Sequence, residues 1–183
     1  MKQPFSKRHP LIAAATAALV CTLFTAAGSA TAVIAKQEGA EKYLWITPFL
    51  LLSAGLGVLY MRRSQFTFSE YGFAENIFHG ASQVWFYLPL FLIELLPVVI
   101  YGFRAGSSPT LMFSVLIFTV AVSFNEEIYF RGIALRLLRA GGIKKAIWLS
   151  AVIFGVLHLA NLMAGSDPLH TILQVVFAFL VGF

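Results

Sequence analysis

Of 183 residues, 59% are hydrophobic, 15% aromatic and only 11% charged, and the mean hydropathy is +0.83. Water-soluble domains are about 45–50% apolar and about 25% charged, so this polypeptide is made to dissolve in lipid; disorder, collagen, coiled coil and nucleic-acid binding are excluded together with the soluble class. The net charge of +5, from 13 Lys and Arg against 8 Asp and Glu, is the basic excess that membrane proteins carry in their cytoplasmic loops.

A helix needs about 20 apolar residues to cross a hydrocarbon core of about 30 Å. Long apolar runs at 11–35, 43–61, 83–101, 110–124 and 146–163, uncharged except for Glu94 in the third, predict five complete spans, and 169–183 begins a sixth, so the expected fold is an all-α, multi-pass transmembrane helix bundle. The first run follows Lys2, Lys7 and Arg8 and contains Ala30-Thr31-Ala32. It reads as a span or as a cleaved signal peptide, and both readings leave the later topology unchanged. Cys21 lies within it and, as the one cysteine, has no internal disulfide partner.

Between the second and third runs, Arg62 and Arg63 are followed by Phe66, Phe68, Tyr71, Phe73 and Phe78, a pattern for a segment lying along the membrane interface. Residues 1–70 are therefore expected to form N-terminal spans with an interfacial linker, and 71–183 a second helical domain. His79 in the linker reads as structural. In the third run Glu94 stands between Pro89 and Pro97, as a paired group at a kinked helix or as a functional carboxylate. With the N-terminus in the cytoplasm of a cell-membrane protein, Lys2, Lys7, Arg8, Arg62, Arg63, Arg131, Arg136, Arg139, Lys144 and Lys145 fall inside and only Lys36, Lys42 and Arg104 outside, as the positive-inside rule requires.

The end of the fourth run carries Asn125-Glu126-Glu127-Ile128-Tyr129-Phe130-Arg131-Gly132. On an α-helix Glu127 and Arg131 pair along one face at i,i+4, and the adjacent Glu126, turned about 100° away, is free to act as a general base. The fifth run carries Phe154, His158 and Asn161 on one face at spacings of four and three, and Gly155 permits close approach of a neighbouring helix. The fourth helix is expected to continue through Leu138 and stop at Gly141-Gly142, the fifth starting near Ile143. In that antiparallel hairpin Glu126 and His158 lie about 22 and about 24 Å from the turn, at one depth. A carboxylate and an imidazole so placed suit the deprotonation of one water; a polar knot that only fixes helix packing uses the same residues. His170 and Gln174 share a face of the last run and His9 lies in the basic tail, all three read as structural or solvated. The run 169–183 gives about 22 Å of helix, which predicts a chain that stops inside the membrane.

Asp167 is the one Asp, and neither a His-Glu-x-x-His helix nor a Gly-x-Ser-Gly turn occurs, so an aspartyl dyad, that zinc helix and that serine nucleophile are excluded.

These residues resemble the CPBP family of intramembrane proteases, bacterial relatives of the type II CAAX prenyl endopeptidase. The family's Glu-Glu-x-x-x-Arg motif reads as Glu126, Glu127 and Arg131, and its Phe-x-x-x-His motif as Phe154 and His158. The resemblance covers roughly 71–183. It implies that Glu126 activates water, that Glu127 and Arg131 orient the site, that His158 holds the water or a metal, and that Phe154, with Asn161 beside it, shapes the pocket. Where a metal such as zinc is present, Glu126 and His158 would hold it, and metal-free activation accounts for the residues equally well. The implied partners are membrane lipid and a hydrophobic or prenylated peptide substrate. The family's last motif, a His four residues from an Asn or Asp in a later helix, does not occur before Phe183, so the chain taken alone is expected to be inert and a longer parent active. The alternative from another class is a non-catalytic membrane protein serving bacteriocin self-immunity or partner scaffolding.

Overall fold

The computed structural model describes residues 5–73, 85, 88–102, 108–163 and 165–182. His79 lies outside the described residues, as does the side chain of Glu94. Among the described residues every regular element is a helix, with no strand. After a helical turn at Phe5–Arg8, α1 spans Pro10–Ile34, α2 Gly39–Arg63, α3 Leu88–Tyr101, α4 Pro109–Glu126, α5 Ile143–Leu157 and α6 Pro168–Gly182.

Pro10 opens α1 at a position where a missing N–H costs nothing, and the chain reverses where Lys36 and Gly39 take left-handed φ values of 54° and 52°. Pro109 opens α4, with the Ser108 hydroxyl accepting the Leu111 N–H at 3.1 Å. Among the described residues four helices are long and apolar enough to cross a membrane: Pro10–Ile34, Gly39–Arg63, Pro109–Gly141 and Ile143–Leu162. The described part of the third run, Leu88–Tyr101, is shorter, as is Pro168–Gly182. The structure therefore supports a multi-pass helical bundle without fixing the expected count of five complete spans and a sixth begun.

Two departures from regular α-helix shape the region below. The fourth helix does not run to its turn as α-helix: Glu127–Ala134 is π-helical, followed by Leu135–Leu138 and a 3₁₀ turn at Arg139–Gly141, after which Gly142 reverses the chain at φ 98°. The wider turn leaves the Phe130 carbonyl accepting both the Leu135 N–H and the Ser150 hydroxyl at 2.9 Å. The fifth helix is also interrupted. His158 Nδ1 takes the Phe154 carbonyl at 2.8 Å, so the His158 and Leu159 N–H groups bond instead to Gly155 and Val156. The helix tightens there and resumes as Ala160–Met163.

α2 packs against α1 and α4, and α5 against α6. Close approach rests on small residues: a Cβ on Gly155 would lie 3.1 Å from the Val175 carbonyl of α6. The main buried cluster gathers Cys21, Ala54, Met61, Tyr71, Ile128, Tyr129, Phe130, Ile133 and Phe154 around the π-helical segment. The linker folds back onto this cluster: Tyr71 is buried, and Arg136 pairs with Glu70 at 2.9 Å while stacking on Phe66 at 3.6 Å.

Candidate active site

Glu126 closes α4 and is half-buried, with the Arg131 and Glu127 charges as its electrostatic neighbours. Glu127, one residue on, is exposed and pairs with Arg131 Nε at 3.5 Å. The Arg131 guanidinium lies over the Phe154 ring at 4.4 Å, which joins the π-helical segment to α5. Phe154 is buried between Phe130, ring to ring at 4.7 Å, and His158, edge-on at 4.8 Å. Glu127, Arg131, Phe154 and His158 therefore form a continuous chain of contacts.

The same contacts set the hairpin register. Phe130 faces Phe154 and bonds to Ser150, so Glu126, one turn before Phe130, and His158, one turn after Phe154, lie toward the same end of the helix pair. The His158 tautomer follows from its partner. A carbonyl only accepts, so Nδ1 carries the hydrogen and Nε2 of the neutral ring holds a free lone pair.

Asn161 is drawn elsewhere. It lies past the helix break and donates to Gln174 of α6 at 2.7 Å, tying the end of the hairpin to the next helix. His170 is exposed, and its backbone N–H donates to Asp167 at 2.9 Å.

Two further residues bear on Glu126 that the sequence did not single out. Asn125 is fully buried and donates from Nδ2 to Cys21 Sγ of α1 at 3.1 Å. Tyr129 is buried with its hydroxyl on the Ser53 carbonyl of α2 at 3.0 Å. The one available signal was an amide standing in an apolar helix; its partner is 104 residues away.

Among the described residues, no group of three or more His, Cys, Asp and Glu side chains is arranged to hold a metal ion. Zinc sites in enzymes draw three ligands from the protein, and Glu126 with His158 supplies two. The donor set does not fit such a site.

A helical membrane bundle in which one hairpin brings together carboxylate, guanidinium, aromatic and imidazole groups is the class of protein that structure and composition define. Residues 108–183, from the N-cap of α4 through α6, match the family model of type II CAAX prenyl endopeptidase Rce1-like proteins, so this segment is similar to that endopeptidase family. The match contains both motifs and leaves α1 and α2 outside it. No curated protein and no solved structure matches the chain.

Proposed function

We propose that the protein is an intramembrane endopeptidase that hydrolyses a peptide bond of a hydrophobic or prenylated peptide near the cytoplasmic face of the cell membrane. The observation that carries this reading is the contact chain Glu127–Arg131–Phe154–His158, which joins both family motifs on one hairpin beside Glu126. Arg62, Arg63, Arg139, Lys144 and Lys145 are exposed at one end of the bundle, which the positive-inside rule assigns to the cytoplasm. The 33-residue helix Pro109–Gly141 is about 50 Å long, some 20 Å more than the hydrocarbon core, so its basic end projects into water. Glu126, about 22 Å from that end, then lies near the boundary.

In the reaction, a water donates one hydrogen bond to the Glu126 carboxylate and the other to His158 Nε2, leaving an oxygen lone pair for the scissile carbonyl. Glu126 takes the proton as the C–O bond forms, then delivers it to the leaving nitrogen as the C–N bond breaks. Arg131, clamped by Glu127 and stacked on Phe154, holds the ring against which His158 rests. The membrane lipid receives the apolar part of the substrate.

Glu126→Gln and His158→Ala are expected to lower kcat for a prenylated peptide by about 10²-fold or more, measured on protein purified in detergent. Unchanged cleavage in either variant would overturn the reading.

A further inference from the structure

Three helices, α1, α2 and α5, converge on the segment 125–130 that carries Glu126. Asn125 is anchored to α1 through Cys21, Tyr129 to α2 through the Ser53 carbonyl, and Phe130 to α5 through the Ser150 hydroxyl. The anchors are dry: exposure is 0% for Asn125, 3% for Cys21, 4% for Tyr129 and 4% for Ser150, so water does not replace a lost partner without a rearrangement. Asn125 Oδ1 has no partner among the described residues, which leaves the Cys21 sulfur as the single anchor of that amide.

Their spacing gives the anchors a specific task. Asn125 precedes Glu126 in the last turn of α4, and the helix widens into the π form at Glu127. A π-helical segment is less stable than the α form and persists where tertiary contacts hold it. One anchor stands before the transition and two stand within the π segment, so together they fix the helix rotation at Glu126.

We propose that Asn125 and Tyr129 are positioning residues that aim the Glu126 carboxylate, and that α1 and α2, outside the family match, belong to the active site through Cys21 and Ser53. The proposal rests on the endopeptidase reading for its catalytic consequence, and its geometric content can be read separately. A pair buried at the α1–α4 contact that served packing alone would respond to lost volume; a positioning pair responds to the lost hydrogen bond.

The test uses Cys21→Ala, Cys21→Ser and Tyr129→Phe in the intact protein in detergent. Cys21→Ser keeps an acceptor for the Asn125 amide, and Tyr129→Phe keeps the ring while deleting the hydroxyl. The first readout is the rate at which a hydrophobic carbodiimide modifies Glu126 at one fixed pH, located by peptide mass spectrometry. Cys21→Ala and Tyr129→Phe are expected to change that rate by about threefold or more, and Cys21→Ser to restore it. The second readout is peptide cleavage, with kcat expected to fall about tenfold at nearly constant KM, because small misplacement of a reacting group costs rate more than binding. Wild-type labelling rates in both Cys21→Ala and Tyr129→Phe overturn the proposal, as does Cys21→Ser behaving like Cys21→Ala. A wild-type protein that cleaves no prenylated peptide overturns the endopeptidase reading instead, while the labelling comparison still decides the positioning role.

Discussion

The Arg131 guanidinium stands 4.4 Å from the centre of the Phe154 ring. This contact joins the last residue of one motif to the first residue of the other, and it needs a flat cation. Arg131 is a quarter exposed, so its charge alone is partly screened, whereas the stacked plane also meets Glu127 edge-on through Nε. Arg131→Lys keeps the charge and loses the plane. We expect it to lower kcat/KM about tenfold, and a double-mutant cycle with Phe154→Leu to show coupling of about 0.5–1 kcal/mol. Additive effects in the cleavage assay would show that the two motifs act independently.

The hairpin, the Glu127–Arg131 spacing and the close packing at Gly155 were legible because each depends on neighbours within a few residues. A glycine pair stops a helix, and opposite charges four apart meet on one face whatever the rest of the chain does. The π-helical segment was not legible, since a sequence that satisfies the 3.6 period carries no mark for an extra residue per turn; contacts from Tyr129 to Ser53 and from Ser150 to Phe130 decide it. The break at His158 depends on a ring nitrogen outcompeting a backbone N–H for the Phe154 carbonyl. For the same reason Asn161, in phase with His158 on an unbroken helix, bonds to Gln174 instead.

The linker should loosen from the Leu135–Leu138 segment in acid. Glu70 accepts the Thr67 N–H at 2.9 Å and pairs with Arg136 at 2.9 Å, and these bonds, the backbone one foremost, hold its carboxyl below the usual carboxylate range. A depressed folded-state value means that the stabilisation is present above the unfolded value and is lost as pH falls through the folded one, that is, below about pH 4. The N–H groups of Glu70, Tyr71 and Gly72, which bond to Thr67, Phe68 and Ser69, report on this turn by hydrogen exchange. Protection in the wild type should drop between about pH 6 and about pH 3, while Glu70→Gln should be poorly protected at both. Equal protection in the two proteins at about pH 6 would remove Glu70 from this role.

Cleavage should survive a strong chelator. The described residues contain no three-ligand cluster, and the proposed steps need only Glu126, His158 and water. We expect kcat/KM before and after chelation to agree within about twofold, since two protein ligands hold zinc far less firmly than three or four. Activity lost to chelator and restored by added zinc would show that residues beyond those described complete a metal site.

Two glycines, Gly57 packed against the π-helical segment and Gly132 within it, should respond differently to the same added methyl. A Cβ on Gly57 would lie 2.5 Å from Cγ2 of Ile128, a branched, fully buried side chain that is itself part of that segment, and 3.3 Å from the Tyr129 ring. A Cβ on Gly132 would lie 2.6 Å from Cε of Met61, the far end of a flexible side chain. Both substitutions gain roughly 0.5–1 kcal/mol of helix propensity. Overpacking then costs about 1–3 kcal/mol, near the upper value where the neighbour is rigid and near the lower where it swings aside. Gly57→Ala should therefore lower the apparent Tm in detergent by several degrees and reduce cleavage, through displacement of Ile128 and its neighbours Glu127 and Tyr129. Gly132→Ala should stay close to wild type in both measurements. Equal losses would mean that Met61 is as tightly held as Ile128, and a larger loss for Gly132→Ala would place the rigid side of the contact on α2.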